Sequence, residues 1–255
     1  METEKYMENK KHIETIEKHF GGEAKEFDTI ILKMIPHYNQ MVEALVSAVS
    51  CQGFSPIQES SAIQESSPIK VIDLGCGTGN ISIAILNRYP HAHLTCLDLA
   101  ENMLEMAKIK LSGYSNVRYI RADLTQFDFD DRYDLVVSSL ALHHLLTNDD
   151  KRQLYKKVYE TLTPNGIFYN ADIVLASSDS LQEMYLSQWK KFIAKSTPQD
   201  EIENKWIPKY YEEDRPAILM DQLSWLSDIG FVNVDVIWKY YNFAVYGGVK
   251  HGGMR

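Results

Sequence analysis

The chain alternates between two kinds of hydrophobic pattern from residue 69 onward. Short apolar or β-branched runs, typical of buried strands, fall at 69–73, 93–98, 117–121, 134–138 and 166–172. Patterns with a period of 3.6 residues, typical of amphipathic helices, fall at 80–88, 101–111 and 149–162. This alternation predicts an α/β fold, in which helices cover both faces of a parallel sheet. Ligands of such sheets bind at the carboxyl ends of the strands.

Helical patterns also flank this core. Residues 1–50 are predicted to form a helical cover, with Pro36 beginning its last helix, and residues 175–212 a helical lid rich in aromatic side chains. These aromatic side chains either enclose an acceptor or pack the lid helices together. A further helix is predicted from Asp214 to Ile229, with Gly230 as its stop. We expect residues 1–255 to form a single domain.

Local signals predict several boundaries. Thr147 and Asp150 have the spacing of a capping box, and Pro164-Asn165-Gly166 predicts a turn before the fifth strand. Two strand-like runs near the end, 232–238 and 240–246, predict a hairpin joined at Lys239. The tandem hexad at 57–68 has a polar composition that predicts a surface insertion without an assigned role.

Composition narrows the class of partner. The net charge of −9 disfavours nucleic acid, which usually binds a basic surface, and favours a small-molecule substrate. Three widely separated cysteines predict a cytoplasmic location without a zinc site. Neither a secretory signal nor a membrane span is expected, since no long apolar run occurs. The oligomeric state is not readable from the sequence, and a homodimer is one possibility.

A glycine-rich segment joins the first predicted strand to the first helix of the core. It reads Asp73-Leu74-Gly75-Cys76-Gly77-Thr78-Gly79. Glycine has no Cβ, so the backbone can turn tightly and approach a ligand closely. The segment is neither the G-x-G-x-x-G dinucleotide motif nor a P-loop. Its D-x-G-x-G-x-G spacing resembles motif I of the class I S-adenosylmethionine (SAM) methyltransferases.

This resemblance implies a fold, a cofactor and a set of binding residues. The fold is a Rossmann-like sheet of seven strands, mostly parallel with an antiparallel C-terminal strand. The cofactor is SAM, and S-adenosylhomocysteine is its product. The glycine segment implies cofactor contacts from Asp73, Gly75, Cys76, Gly77 and Gly79.

The ends of the next strands extend the resemblance. Asp98 is placed to accept the ribose hydroxyls, and Leu99 and Met103 to lie beside the adenine. The pair Asp123-Leu124 resembles the residues that contact the adenine edge. Ser138-Ser139 ends the fourth strand, where the family contacts the methionine part of SAM.

His143 and His144 follow the fourth strand and are the candidate catalytic residues. An imidazole has a pKa near neutrality, so either histidine could act as a general base. The alternative is that the pair braces its loop through hydrogen bonds. No metal is expected, because no third ligand is spaced nearby in the sequence.

Two further stretches resemble the carboxy-S-adenosyl-L-methionine synthases. They are the segment from Phe27-Asp28 to Tyr38 and the end from Gly230-Phe231 to Phe243. In that family the tyrosine matched by Tyr38 contacts SAM, and an asparagine that does the same is matched by Ser139.

Departures from that pattern favour methyl transfer. The synthases have serine where this chain has Gly77, and their carboxylate-binding arginine falls near Ile207, where only Lys205 and Lys209 are close. We therefore expect methyl transfer to a small molecule. A carboxy-SAM synthase-like reaction, a tRNA-modification methyltransferase and a non-catalytic SAM-binding regulator remain as alternatives.

Overall fold

The computed structural model describes residues 10–19, 24–51 and 68–252, which fold around one seven-stranded sheet. The strands are β1 (Lys70–Leu74), β2 (His93–Asp98), β3 (Val117–Arg121), β4 (Tyr133–Ser139), β5 (Leu162–Ile173), β6 (Phe231–Tyr240) and β7 (Phe243–Lys250). Their order across the sheet is β3-β2-β1-β4-β5-β7-β6. Strand β7 runs antiparallel to both of its neighbours, and the other six strands share one direction. The predicted mixed sheet is confirmed.

Helices cover the sheet and its carboxyl edge. They are α1 (10–19), α2 (Phe27–Met34), α3 (Tyr38–Cys51), α4 (Asn80–Arg88), α5 (Glu101–Lys110), α6 (Asn148–Thr161), α7 (Asp179–Ile193), α8 (Gln199–Glu201), α9 (Ile207–Glu213) and α10 (Leu219–Ile229). A short π-helical turn, Ile202–Trp206, joins α8 to α9. Among these described helices, none has the length and apolar character needed to span a membrane.

The core sits on both faces of the sheet. The central strands of the sheet are buried over almost their whole length because helices pack on each side of the sheet. The capping box of α6 is present, with the Thr147 hydroxyl oxygen accepting the Asp150 N–H at 3.1 Å. Gly230 ends α10 in the left-handed conformation, at φ 115°. Both boundary predictions are confirmed.

Four predicted boundaries are wrong. Helix α3 begins at Tyr38 rather than Pro36, because His37 has a φ of 55° that a helix does not allow. Helix α10 begins at Leu219 rather than Asp214, since Pro216 disfavours the helical conformation of the residue before it. The resulting extended segment brings Asp214 to the carboxyl edge of the sheet.

The other two errors concern strands. The hairpin turns at Tyr241 and Asn242, and Lys239 still pairs with Ala244 inside the ladder. Strand β5 begins at Leu162, and the Pro164-Asn165-Gly166 segment forms a bulge between two registers with β4 instead of a turn before the strand. The hexad lies outside the described residues except for Pro68.

The N-terminal helices and the lid contact one another above the sheet. The Trp189 indole N–H of α7 donates to the Met34 carbonyl of α2 at 2.7 Å. Trp189 also packs edge-on against Tyr210 of α9 and Phe243 of β7. A cover and a lid that meet in this way enclose space over the carboxyl ends of β1, β4 and β5.

Candidate active site

The glycine segment forms a tight loop between β1 and α4. Gly75, Gly77 and Gly79 have φ values of 70°, 53° and 83°, which side chains rarely allow. A Cβ on Gly75 would lie 2.3 Å from the Cβ of Ala141. The Gly75 and Cys76 N–H groups donate to the Leu97 carbonyl at 2.8 and 2.9 Å, which fixes the loop against β2.

A cleft opens above this loop and contains about 750 Å³ of space, including its mouth. We call it the glycine-loop cleft. Ten of the predicted cofactor residues line it: Tyr38, Asp73, Gly75, Cys76, Gly77, Asp98, Leu99, Met103, Leu124 and Ser139. The structure thus brings together residues from strand ends and from the start of α3 that are up to about one hundred positions apart in the chain.

Three predicted cofactor residues are not among those that line this cleft. Gly79 is the N-cap of α4, where its backbone starts the helix. The Ser138 hydroxyl is buried and donates to the Leu74 carbonyl at 2.7 Å. The Asp123 carboxylate accepts from the backbone N–H and the hydroxyl of Thr125, at 2.8 and 2.9 Å, and faces a smaller neighbouring cavity.

Asp98 ends β2 with its carboxylate on the cleft. One oxygen accepts the Gly77 N–H at 2.8 Å and the other accepts the Ala100 N–H at 2.9 Å. Burial raises the pKa of Asp98, and these backbone N–H groups counteract the rise. Each carboxylate oxygen has a second acceptor site. The side chain is therefore held in place and can still accept hydrogen bonds from a ligand.

Asp73 lines the same cleft and is almost fully buried. The side chain is 1% exposed, and its Oδ2 accepts from the Ser82 hydroxyl at 2.7 Å. Its Oδ1 is buried without a hydrogen-bond partner among the described residues. Burial, followed by the nearby charge of Asp98, raises the pKa of Asp73 to about 7. A buried acceptor without a partner is costly, so this atom suits a cationic or N–H-bearing ligand.

The cover adds residues to the cleft that the sequence interpretation did not assign to the site. Phe27 and Ile31 of α2 line it, and Phe27 lies 3.8 Å from where a Cβ on Gly77 would stand. Thr78 and Asn80 of the loop also face it. The Phe27-Asp28 match to the synthases was the available signal, but nothing in the local pattern showed which side of α2 faces the loop.

An ion pair fastens α2 over the glycine loop. Asp28 accepts from Lys110 Nζ at 2.7 Å, from the Thr78 hydroxyl at 2.5 Å and from the Asn80 amide at 3.0 Å. Although burial raises the pKa of Asp28, the hydrogen bonds from Lys110, Thr78 and Asn80 lower it overall. The carboxylate therefore links the cover to α5 and to the start of α4.

A second cleft, the lid cleft, adjoins the first. It contains about 730 Å³ of space, including the open solvent at its mouth, and lies between the cover, the lid and the end of β4. Four residues line both clefts: Phe27, Ile31, Leu140 and His144. Most of the remaining lining is apolar or aromatic, including Met34, Ile173, Trp189, Trp206 and Tyr210. The two clefts meet at His144.

His143 is held between two carboxylates in the lid cleft. Its Nδ1 lies 2.5 Å from Asp172 Oδ1, and its Nε2 lies 3.4 Å from Asp214 Oδ1. Although burial lowers the pKa of His143, these two carboxylates raise it to about 10. The Arg215 N–H donates to the His143 carbonyl at 2.9 Å, which fixes the segment that carries Asp214. These contacts favour the bracing role for His143.

His144 lies at the junction and has a different environment. Its Nδ1 is 3.5 Å from both Asp214 Oδ1 and the Glu213 carbonyl oxygen. Burial and the nearby charge of His143 lower the pKa of His144 to about 3. The imidazole is therefore neutral at physiological pH, and its side chain lines both clefts where they meet.

The lid cleft contains further charged groups. His19 of α1 pairs with Glu213 at the end of α9. Lys209 of α9 lines the cleft and lies 5.3 Å from the ring of Trp206. By contrast, Ile207 is buried and is not among the residues that line either cleft. The Arg215 guanidinium donates to the Tyr211 and Asp214 carbonyls at 3.2 and 2.8 Å.

Comparison with known proteins finds a family model that matches the central part of the chain. Residues 71–166 match a family model described as a methyltransferase domain. A carboxy-S-adenosyl-L-methionine synthase of Helicobacter hepaticus is 25% identical over 86% of this chain and 89% of its own length. A malonyl-acyl-carrier-protein O-methyltransferase of Bacillus anthracis is 26% identical over 56% of this chain and 54% of its own length.

Solved structures agree with the fold. The structure described as a DhpI-SAM-HEP complex has a TM-score of 0.60 at 17% identity, over 92% of this chain and 96% of that chain. The family match gives residues 71–166 the likeness of a methyltransferase domain, and the solved structure shares the fold of the sheet. The chain resembles the carboxy-S-adenosyl-L-methionine synthases over most of its length. The description of the solved complex names SAM as its ligand.

Proposed function

We propose that this protein transfers the methyl group of SAM to a small molecule held in the lid cleft. The observation that carries the proposal is the junction of the two clefts at His144. The glycine-loop cleft has the acceptors that SAM requires, and the lid cleft offers apolar, aromatic walls of a size for a small molecule. When bound, SAM supplies an electrophilic methyl group on its sulfonium.

The residues of the glycine-loop cleft divide the cofactor between them. Asp98 accepts from the ribose hydroxyls, and Leu99, Met103 and Leu124 provide apolar contacts for the adenine. Asp73 Oδ1 takes the amino group of the methionine part, since its partner is missing among the described residues. Tyr38 and Ser139 line the same end of the cleft. Asp123 faces the neighbouring cavity and has no part in these proposed contacts.

In the lid cleft, His144 is the proposed catalytic residue and His143 is its positioning residue. Methyl transfer is a direct displacement, which depends on alignment of the acceptor and removal of its proton. His144 lies at the junction of the two clefts, where the acceptor would be aligned and would lose its proton. The paired His143 and its two carboxylates keep the loop, and therefore His144, in place.

The pocket also predicts how cofactor binding depends on pH. With a pKa of about 7, the ionised fraction of free Asp73 rises from about one tenth at pH 6 to about three quarters at pH 7.5. The SAM amino group is still largely protonated there, since such groups titrate near 8. Calorimetry should show SAM affinity rising roughly 5- to 10-fold between these pH values.

The Asp73→Asn variant is the control for this prediction, because an amide does not titrate. It should bind SAM more weakly and with a flat profile over the same range. Asp98 is the other carboxylate of the cleft and stays unchanged in that variant. An unaltered pH dependence in Asp73→Asn would assign the effect to Asp98 or to the cofactor, and would remove Asp73 from the proposed contact.

The acceptor class is tested by a labelling screen. Incubating the protein with methyl-labelled SAM and separate pools of metabolites and tRNA should label a small molecule. The acidic total charge and the largely apolar lining of the lid cleft support this expectation. Label found in tRNA alone would favour the tRNA-modifying alternative. A lid cleft with room for an acceptor argues against a non-catalytic regulator. A cytoplasmic location and a homodimer remain predictions.

A synthase-like reaction is the second candidate, supported by the extended resemblance to carboxy-SAM synthases and by Lys209 in the lid cleft. A carboxylate on the SAM methyl would need a fixed cation there. The arginine position is occupied by buried Ile207, so we expect SAM to bind more tightly than carboxy-SAM. Competitive calorimetry measures which of the two ligands binds more tightly. If carboxy-SAM binds more tightly than SAM and loses this advantage in Lys209→Met, the second candidate function is established instead.

A further inference from the structure

We propose that His143, His144 and Asp214 bind a divalent transition-metal ion of the zinc type at the wall of the lid cleft. Zinc binds nitrogen and carboxylate-oxygen ligands, commonly with three protein ligands and one open position. One ligand atom from each of these residues lies within 4.8 Å of the others. The inference goes beyond the proposed methyl transfer, because metal binding needs neither SAM nor an acceptor.

The orientation of His143 carries the argument. Asp172 Oδ1 accepts from Nδ1 at 2.5 Å and also from the Ile173 N–H at 2.9 Å, so it fixes the proton on Nδ1. Asp172 Oδ2 accepts from the Asn170 amide at 3.1 Å. A carboxylate behind the histidine is the arrangement that orients metal-binding imidazoles. Nε2 then faces Asp214 Oδ1, where a metal ion would displace the Nε2 proton.

A cation must lie between these two atoms, either a proton or a metal ion. Their separation of 3.4 Å is long for a hydrogen bond to a charged partner, which is usually about 2.7–2.9 Å. The same Asp214 oxygen is 3.5 Å from His144 Nδ1. Two ligands of a tetrahedral ion with bonds of about 2.1 Å are about 3.4 Å apart. Both distances therefore match the edges of a four-coordinate site.

The fold holds these ligands in position. His143 and His144 lie in a short 3₁₀ turn, and Asp214 is in the extended segment after α9. The hydrogen bond from the Arg215 N–H to the His143 carbonyl joins the two segments directly beside the site. All three ligands line the lid cleft, so an open coordination position would be reached from that cleft. An acceptor oxygen coordinated there would be more acidic, and with the metal on Nδ1 of His144 this effect would replace His144 as the base.

The sequence did not reveal the site because its third ligand is seventy positions away from His144. The expectation of no metal depended on the absence of a nearby ligand in the chain. Because α10 begins at Leu219 and not at Asp214, Asp214 lies in an extended segment instead of a helix. A helix that began at Asp214 would have placed this side chain elsewhere. The proposed ligands therefore come from two segments that only the tertiary structure brings together.

The test uses the full chain, freed of metal by chelation and then dialysed against Zn²⁺. Mass spectrometry of the metal content should find one zinc per chain. Binding should weaken at least tenfold in Asp214→Asn and in His143→Gln, and roughly 10- to 100-fold in Asp172→Asn, which removes no ligand. Glu212→Gln, an exposed neighbour with the same charge change, is the matched control and should keep the zinc.

A second measurement uses the wild type, so it remains valid if a variant does not fold. Co²⁺ added to the metal-free wild type should give the intense visible absorption of a tetrahedral site, and Zn²⁺ should bleach it. Zinc that binds Asp214→Asn as well as wild type would be an adventitious ion only and would overturn the proposal. A wild type without stoichiometric zinc and without the cobalt spectrum would also overturn it, leaving a proton between His143 and Asp214.

Discussion

Replacing Asp98 by alanine is expected to weaken the binding of SAM and of S-adenosylhomocysteine by about 1.5–3 kcal/mol, or roughly 10- to 150-fold. The variant loses a charged acceptor for the ribose. It also frees the Gly77 and Ala100 N–H groups, which the carboxylate fixes at 2.8 and 2.9 Å. Calorimetry with both ligands measures the effect, and equal losses are expected because the ligands share the ribose.

Two further variants separate the contributions to this loss. Asp98→Asn retains one oxygen and should lose less affinity than Asp98→Ala. Asp123→Ala removes the strand-end carboxylate of β3, which bonds to Thr125 and faces a different cavity, so it should bind SAM almost as wild type does. If Asp123→Ala lost as much affinity as Asp98→Ala, the placement of the ribose at Asp98 would be wrong.

Replacing His144 by asparagine is expected to lower kcat by roughly 10²–10⁴-fold, the range for loss of a positioned acid–base group. Binding of SAM should change little, because Asp73 and Asp98 hold the cofactor on the other side of the junction. The loss in kcat is expected because His144 is the one predicted catalytic residue that lines both clefts. Single-turnover kinetics after saturation with SAM isolate the step.

The control for this prediction is His91→Asn, since His91 is exposed at the opposite edge of the sheet. It should keep full activity. His143→Gln distinguishes positioning from catalysis, because it should disturb the loop without removing the junction imidazole. A His144→Asn enzyme with unchanged kcat would show that alignment alone supports turnover and that the lid cleft is arranged differently around the acceptor.

Much of the fold could be predicted because its signals are local. The strand that ends at Leu74, the glycine turn and the helix from Asn80 follow one another within about twenty residues, and each boundary depends on nearby chemistry. The capping box at Thr147 is equally local. Lys239 shows the limit, since the hairpin turn depends on pairing between β6 and β7 rather than on the residues at the turn.

The candidate site was predictable only in part, for the same reason. The glycine-loop cleft is built from strand ends, whose meeting at one edge follows from a parallel sheet. The lid cleft is built from α2, α7, α9 and the segment with Asp214, whose packing has no local signal. Phe27 and Asp214 therefore remained unassigned, although each contacts or lines a cleft next to His144.

The most direct test of the account is a mass-spectrometric analysis of one reaction mixture. The purified protein is incubated with methyl-labelled SAM, a small-molecule extract and prephenate, the carboxylate donor that the resemblance to the synthases implies. All products of SAM are measured together. We predict S-adenosylhomocysteine and an equal amount of a small molecule that carries the labelled methyl group. Carboxy-SAM formed from prephenate, without S-adenosylhomocysteine, would contradict the proposed methyl transfer.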